Sequence, residues 1–393
     1  MSHLIETYSL LSGAKIGKPY IYEKFFPLPF DNYITLHAQG STQAKQYDYW
    51  QEVVNILRPI LDKKEIKIVQ IGDGNDRQLL GTHFISGRTC IQNTAYLLQH
   101  SKLHVGCDSF PVHIASSYGI PVVALYSSCY SSQAGPYWSD PSEARLMDTP
   151  KDKIASYSDK EHPKSINNAN PEEIAQKVCE LLKEEFSYDY KTIYKGNRFV
   201  NGNIDIVPNS FNSLKHAGVK IVNVRMDYLF NEEALKKQLE ILDVNIVTNK
   251  PISLDILNRF RGKIKKILYC VDEKNDDKFI KILKRNNIPY QMLCYADDSN
   301  LNDYKLKFLD YGTIYERHVP KVESLKEFKD IDLDNLYFKS GKFLLSEGKI
   351  YPGKYAWEND LAIDKFEHTF VKAKLDKSFR EEIENFYIAE KTS

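Results

Sequence analysis

The chain has 393 residues, of which 42% are hydrophobic; this is too long for one ordinary core and predicts two domains with room for a smaller appendage. Lys plus Arg and Asp plus Glu both total 53, which excludes the global basic field that supports indiscriminate binding to nucleic acids or membranes. The six cysteines are scattered without metal-ligand spacing, and the start MSHLIETYSLLSGAKIGKPY lacks a signal-peptide layout or a spanning apolar run. A soluble, cytoplasmic protein is expected.

From Tyr33 onwards, short apolar runs alternate with helical stretches, which indicates a series of β-α-β units. Continuous apolar runs are typical of parallel strands that are buried on both faces. The expected strands are YITLHA, IKIVQIG, KLHVGCD and IPVVALYS, and the expected helices are DYWQEVVNILRPIL, TAYLLQHS and FPVHIASSYG. A further helix begins at Pro171, which follows a capping Asn170 and precedes two glutamates. These elements predict a Rossmann-like domain over residues 1–190.

The second half repeats this alternation after a polar boundary stretch, Tyr188 to Asn203. The expected strands are VKIVNVRMD, VNIVTN, KIKKILYCVDE and YQMLCYA, and the expected helices are NEEALKKQLEIL, SLDILNRF and DDKFIKILKRNN. They predict a second doubly wound, Rossmann-like domain over residues 200–322. Beyond Lys321, Ser340-Gly341 and Glu347-Gly348 are typical turns between antiparallel strands. With a charged helix over Asp376–Ala389, they predict a small β-hairpin and helix appendage, residues 323–393.

The stretch GCDSFPVHIASSYGIPVVALYSS, followed by QAGPYW, carries the clearest chemical signal, because a strand end runs directly into a helix start. Backbone N–H groups at a helix N-terminus, together with the helix dipole, bind phosphate without a lysine. One interpretation is that the amides of Ser109 to His113 cradle a pyrophosphate while the His113 side chain donates to it. The alternative is an ordinary crossover in which Asp108 is the N-cap and His113 is a satisfied buried histidine. The residues alone leave both open.

The same stretch closely resembles D-S/T-G-x-x-H-L/I-A-x-x-x-G-x-P-x-V/I-A/G-L-F/Y, the signature of ADP-heptose:lipopolysaccharide heptosyltransferases. Upstream, ITLHAQGSTQAKQYDYW is similar to the strand, small-residue loop and lysine that open the family's donor domain, and Gly135-Pro136 is similar to its G-P. The resemblance covers roughly residues 30–185. It implies a GT-B-like α/β fold and a nucleoside-diphosphate-sugar donor. The implied donor-binding residues are Lys45, Asp108, Ser109, Phe110, His113 and Gly135.

Three features depart from the family pattern. Phe110 replaces the glycine that follows the Asp-Ser/Thr pair, and Gln92 or Asn93 stands where a glutamate is expected. The family also carries its acceptor domain before this segment, whereas here the second α/β domain follows it. The general base therefore has no counterpart to carry over, and the candidates by position at strand ends are Asp227, Asp272 and Glu273. Solvated loop acids are the more common interpretation of such residues.

The leading hypothesis is a glycosyltransferase that moves a sugar from a nucleoside-diphosphate sugar to a hydroxyl acceptor. Lys45, the amides near Ser109 and His113 would stabilise the departing diphosphate, and a base would activate the acceptor. Neither a metal nor a cofactor is required, because cationic side chains and helix dipoles can neutralise the leaving group. One alternative is a catalytically inactive GT-B-like binding or structural protein, favoured by Phe110. Another is transfer to a modified nucleic-acid base, which the neutral net charge disfavours.

Overall fold

A computed structural model describes residues 2–149, 154–209, 222–272, 277–294, 298–316 and 335–392. The chain divides into two compact units, Met1–Asp189 and Tyr190–Ser393. In the described part of the chain, no helix combines the length and the apolar character needed to cross a bilayer.

The first unit consists of a parallel sheet and helices. Its strands are β1 (Tyr33–His37), β2 (Lys67–Ile71), β3 (His83–Phe84), β4 (His104–Cys107), β5 (Val122–Tyr126) and β6 (Ala144–Asp148). Its helices are α1 (Leu4–Ser12), α2 (Trp50–Asp62), α3 (Ile91–Gln99), α4 (Phe110–Tyr118), α5 (Ser131–Ala134) and α6 (Pro171–Leu182). The strand order is β3-β2-β1-β4-β5-β6, which is the order of a doubly wound dinucleotide-binding sheet. The α/β fold expected for this half is confirmed.

The central strands of this sheet explain the apolar runs of the sequence. Every residue of β4 and β5 is buried, because helices cover both faces of a doubly wound sheet. Helix α6 begins at Pro171, as predicted, and buries Ile174, Ala175, Val178 and Cys179. Spacings of three and four residues place these side chains on one face of the helix.

The second unit contains two sheets. Its strands are β7 (Tyr190–Lys195), β8 (Asn203–Ile206), β9 (Val222–Arg225), β10 (Val244–Thr248), β11 (Ile264–Val271), β12 (Tyr290–Cys294), β13 (Ile314–Glu316), β14 (Leu336–Ser340), β15 (Lys342–Ser346), β16 (Lys349–Tyr351), β17 (Val371–Lys372) and β18 (Phe386–Lys391). Its helices are α7 (Glu232–Ile241), α8 (Leu254–Arg259), α9 (Lys278–Arg285), α10 (Asp298–Lys307), α11 (Lys354–Glu358) and α12 (Lys377–Glu381).

The larger sheet is wound differently from the predicted Rossmann-like one. Its order is β13-β12-β11-β10-β9-β8-β15-β16, so β8 to β13 follow one another without the reversal that defines a doubly wound sheet. Right-handed crossovers in one direction place their helices on one face. Buried residues from each of α7, α8 and α9 join one core with strand residues such as Ile204, Val224 and Ile246. The α/β class is confirmed, but the doubly wound topology is wrong for this unit.

The C-terminal residues were predicted to form a separate appendage, whereas their strands extend both sheets of the second unit. The hairpin β15–β16 turns at Glu347-Gly348 as expected, and β15 pairs with β8 in parallel. The smaller sheet, in the order β17-β14-β18-β7, is antiparallel. At Gly341 the chain passes from β14 in one sheet to β15 in the other, and a Cβ there would overlap the Phe199 carbonyl oxygen.

The helix expected over Asp376–Ala389 is wrong beyond Glu381. Helix α12 covers only Lys377–Glu381, and Phe386–Lys391 forms β18 between β14 and β7. The charged residues before Glu384 resemble an exposed helix, but aromatic and β-branched residues at 386–388 favour a strand. Phe386, Tyr387 and Ile388 are buried there, so burial against two neighbouring strands decides the conformation.

Candidate functional site

The candidate site lies where the strand order of the first sheet reverses, between β1 and β4. In open α/β sheets, ligands bind outside the carboxyl ends of the strands at this reversal. His37 is the last residue of β1, and Asp108 and Ser109 directly follow β4. His37 Nδ1 lies 2.9 Å from Ser109 Oγ. A hydrogen bond therefore joins the two strand ends at the expected binding point.

Asp108 is the centre of a compact cluster of polar side chains. Its Oδ2 lies 2.6 Å from Lys45 Nζ and accepts a hydrogen bond from Cys129 Sγ at 3.3 Å. Its Oδ1 is 3.9 Å from His113 Nε2. Asp108 is only 5% exposed, whereas the side chains of Lys45 and His113 keep 22% and 35% of their surface exposed. The cluster presents its cationic groups, rather than its carboxylate, to solvent.

The loop after β1 places Lys45 within this cluster. Lys45 ends a short 3-10 turn, Gln43–Lys45, whose Ala44 is buried. Ala44 accepts a hydrogen bond from Ser127 Oγ at 2.7 Å through its carbonyl oxygen. The loop also folds back on Gly40, where a Cβ would come within 2.5 Å of Lys45 Cβ. Only a glycine permits this close contact between residue 40 and Lys45. Gly40 therefore allows the loop to hold Lys45 beside Asp108.

Burial and charge act in opposite directions on the groups of the cluster. Burial lowers the pKa of Lys45, but the hydrogen bond and charge of Asp108 outweigh it, so the pKa of Lys45 is raised and its ammonium form is stabilised. Burial lowers the pKa of His113, which the negative charge of Asp108 only partly offsets. Burial and the nearby Asp108 raise the pKa of the Cys129 thiol to about 12. Lys45 is thus the permanent cation of the site, and Cys129 stays protonated.

The start of α4 differs in two respects from the sequence interpretations. Ser109, not Asp108, is the N-cap, and its side chain makes no capping hydrogen bond because its Oγ donates to the Cys107 carbonyl and contacts His37. Pro111 has no N–H, and the Val112 N–H is bonded to the Ser109 carbonyl. Fewer backbone N–H groups can therefore bind a phosphate than the sequence interpretation of Ser109 to His113 assumed. Phe110 is 47% exposed, so it does not fill the core.

Gly135 lies in the C-cap of α5, close to the N-terminal helix. His3, the N-cap of α1, accepts a hydrogen bond from the Ile5 amide at Nδ1, so its Nε2 donates to the Gly135 carbonyl at 3.1 Å. The charge of His3 also lowers the pKa of His113. His3 therefore links Gly135 to the neighbourhood of the Asp108 cluster. A direct role of Gly135 in binding a donor stays a prediction.

The base candidates lie in the second unit. Asp227 follows β9, and both of its carboxylate oxygens accept hydrogen bonds from Arg225, at 2.8 Å from Nε and 2.6 Å from Nη2. Both oxygens of Asp227 are therefore engaged in a two-point ion pair. Asp272 follows β11 and is exposed, and Glu273 lies outside the described residues. Their assignment as bases stays a prediction, as does that of the second unit as an acceptor domain.

Sequence reasoning missed His37, Cys129 and His3. A signal for His37 was present, because it ends the strand YITLHA and the carboxyl ends of parallel strands share one edge of a sheet. Cys129 and His3 offered no comparable signal. Cys129 lies beside Asp108 because of how the loop after β5 packs, and His3 lies beside Gly135 because of how the N-terminal helix packs.

The comparison with protein families addresses the segment that carries this site. Residues 28–164 match the model of glycosyltransferase family 9 (heptosyltransferase). This segment is heptosyltransferase-like. The resemblance found in the sequence is therefore confirmed for this segment. It contains Lys45, Asp108, Ser109, Phe110, His113 and Gly135, whose roles in donor binding stay predictions. No curated protein matches the chain.

Solved structures of glycosyltransferases are also similar to part of this chain. A family 9 glycosyltransferase from Veillonella parvula is 17% identical with a TM-score of 0.33, and the match covers 45% of this chain and 50% of that one. Heptosyltransferase II from E. coli is 17% identical with a TM-score of 0.31, covering 47% and 52%. The chain spans about half the length of these two structures.

A third solved structure is also similar to part of this chain. TibC from enterotoxigenic E. coli, an iron-containing dodecameric glycosyltransferase, is 16% identical with a TM-score of 0.30, covering 40% of this chain and 46% of that one. Within the described ranges, His, Cys, Asp and Glu side chains form no group of three or more that could hold a metal ion.

Proposed function

We propose that the first unit binds the diphosphate of a nucleoside-diphosphate sugar at the Asp108 cluster, and that the protein transfers the sugar to a hydroxyl acceptor. The main support for this proposal is that Lys45, His113 and the N-terminus of α4 lie close together where the strand order of the first sheet reverses. The heptosyltransferase-like character of residues 28–164 supports the choice of a sugar donor over other phosphate ligands.

Each group in the cluster has a definite part in this proposal. An ammonium carries three N–H donors, so Lys45 can hold Asp108 and a phosphate oxygen together. Asp108 keeps the lysine charged and oriented in a partly buried place. His113, one turn into α4, donates to a second oxygen, and the helix dipole adds positive potential.

The N–H groups of Lys45 and His113 act on the leaving group. When the bond between the sugar and the diphosphate breaks, negative charge grows on the departing phosphate oxygen. Fixed donors that already point at this oxygen lower the barrier more than water does, because they need no reorganisation. The acceptor hydroxyl must lose a proton to a base, whose identity stays open between Asp227, Asp272 and Glu273. A metal-free reaction and a cytoplasmic location stay predictions from the sequence.

Donor binding tests the first half of the proposal. Isothermal titration with a panel of nucleoside-diphosphate sugars should give saturable binding of at least one donor. Lys45→Ala and His113→Ala should each weaken it by roughly 10- to 100-fold, the loss expected for a hydrogen bond to a charged group. Lys63→Ala and His83→Ala are the matched controls, since both replace exposed residues of the same unit, and they should leave the affinity unchanged.

Release of the nucleoside diphosphate tests the second half. Slow release from the bound donor in the absence of acceptor, reduced in both site variants, supports an enzyme. Donor binding without any release supports the alternative of an inactive binding protein, which the replacement of the family glycine by the exposed Phe110 favours. If no donor binds, or if Lys45→Ala behaves like Lys63→Ala, the proposal is wrong.

A further inference from the structure

A second polar cavity lies within the second unit, on the sheet face opposite α7, α8 and α9. It has a volume of about 80 Å³. Asp205 in β8 and Arg225 in the neighbouring strand β9 both line it. The remaining polar lining consists of Arg198, Asn203, Asn223, Lys342 and Asn385, all of them half-buried. The cavity is therefore polar and reachable from solvent.

The floor of the cavity is an ion-pair network on a sheet face. Asp205 is fully buried, and its Oδ2 lies 2.6 Å from Arg225 Nη1 and 2.7 Å from Lys342 Nζ. Asn223 donates to Asp205 Oδ1 at 2.9 Å and accepts a hydrogen bond from Asn245 at 3.1 Å. Burying such charges costs more free energy than burying apolar residues of similar size. Their presence beside an open cavity is typical of a binding site.

The charge of this network is balanced. Three cations line the cavity, Arg198, Arg225 and Lys342. Three carboxylates offset them, namely Asp205, Asp227 and Glu382, whose Oε1 lies 3.7 Å from Lys342 Nζ. A phosphate or carboxylate ligand would compete with these carboxylates for the same cations, and a cationic ligand would compete for the same carboxylates. The balance therefore favours a neutral ligand.

The lining also has two kinds of surface. Amides, guanidinium groups and a carboxylate supply both donors and acceptors, and a hydroxyl group can satisfy both. Val247, Leu268 and Leu293 form an apolar part of the same wall. A sugar ring carries hydroxyl groups at its edge and C–H groups on its faces, so it matches both surfaces at once.

We propose that this cavity binds the hydroxyl-rich edge of a neutral glycoside. The inference does not depend on the proposed transfer reaction, because the cavity lies wholly within the second unit and is tested by binding alone.

Saturation-transfer NMR on the full chain, with methyl glucopyranoside and methyl mannopyranoside as probes, tests this proposal. At least one probe should give a saturable signal that inorganic phosphate does not displace. Asn203→Ala and Asn385→Ala should each weaken binding by about tenfold, as expected for one lost hydrogen bond. Asn359→Ala, an exposed amide of the same unit outside the lining, should leave it unchanged.

A cavity-filling variant gives an independent readout. Val247→Phe places a ring in the cavity and should abolish probe binding, with circular dichroism and the melting temperature reporting whether it folds. If it does not fold, the two asparagine variants decide. Absence of saturable binding by either glycoside overturns the proposal, as does equal binding by Asn203→Ala, Asn385→Ala and Asn359→Ala, or displacement of the probe by phosphate. Nucleoside-diphosphate-sugar binding at Lys45 is unaffected by any of these outcomes.

Discussion

Two histidines beside the candidate site, His104 fully buried and His37 half-buried, should make the first unit sensitive to acid. His104 in β4 is fully buried, with Nδ1 3.0 Å from Thr35 Oγ1. Burial, reinforced by the charge of His37, lowers the pKa of His104 to about 3. Burial also lowers the pKa of His37 to about 4, although the charge of Asp73 opposes this shift. The variant His104→Asn isolates the contribution of His104 to this acid sensitivity, because it keeps a polar atom near Thr35 and removes the titrating ring.

The direction of the pH dependence follows from the pKa of each histidine in the folded and the unfolded chain. In the folded chain the pKa of each ring lies below its value of about 6.5 in the unfolded chain. The neutral ring therefore contributes its full stability above about pH 6.5, and this contribution is lost as the pH falls towards the pKa of the folded state. At about pH 5 the unfolded ring has taken up a proton and the folded ring has not. The resulting loss, RT ln(1 + 10^1.5), is about 2 kcal/mol for each histidine. The loss of packing in His104→Asn is independent of pH, so only the pH dependence is diagnostic.

Hydrogen exchange of peptides from β4, measured by mass spectrometry in increasing urea, reports unfolding of the first unit alone. The wild-type chain should be more stable than His104→Asn at about pH 7.5, and this difference should shrink by about 2 kcal/mol at about pH 5. His83→Asn, which replaces an exposed histidine of β3, should keep a constant difference. Other titrating groups cancel in the comparison. An unchanged difference for His104→Asn would refute the assignment of a neutral buried ring.

Three further predictions concern particular side chains. At about pH 8 iodoacetamide should label the exposed Cys90, whose pKa is lowered mainly by a hydrogen bond from the Asn93 amide, but not Cys129, whose pKa is raised to about 12; mass spectrometry that finds equal labelling would contradict this. Gly341→Ala should lose about 1 to 3 kcal/mol in urea unfolding because its Cβ would overlap the Phe199 carbonyl; Gly262→Ala, which has open space around it, should lose much less, and similar losses would disprove the clash. If the proposed donor binds, its negative charge should raise the lowered pKa of His113, so titration calorimetry should show tighter binding at about pH 6 than at about pH 7.5 in the wild type but not in His113→Gln; a slope that persists in the variant would exclude His113 as its source.

Much of the first unit could be predicted from the sequence because its elements carry local signals. Fully buried strands such as Val122–Tyr126 produce continuous apolar runs, and Pro171 marks the start of a helix wherever the helix packs. The resemblance of the segment around Asp108 and His113 to a family signature located the candidate site. It also pointed to Lys45. The contacts of Lys45 and Cys129 with Asp108 could not be found in this way, because they form only after the loops that follow β1 and β5 have folded.

The winding of the second unit had no local signal. Alternating strands and helices are common to singly and doubly wound sheets, and the difference lies in which strands pair and on which face each crossover lies. The same limit applies to Phe386–Lys391, where charged neighbours indicated a helix but pairing with β14 and β7 made a strand.

By itself the sequence determined the α/β class, the four central strands of the first sheet with four of its helices, and the segment that resembles a sugar-transferring family, because periodicity, capping residues and short motifs act over a few neighbouring residues. Only the tertiary structure decided the strand orders, the His37–Ser109 contact and the balanced network of Asp205, Arg225 and Lys342. These features join residues from separate strands or loops. Their energies depend on burial and distance in space, which neither composition nor spacing along the chain contains.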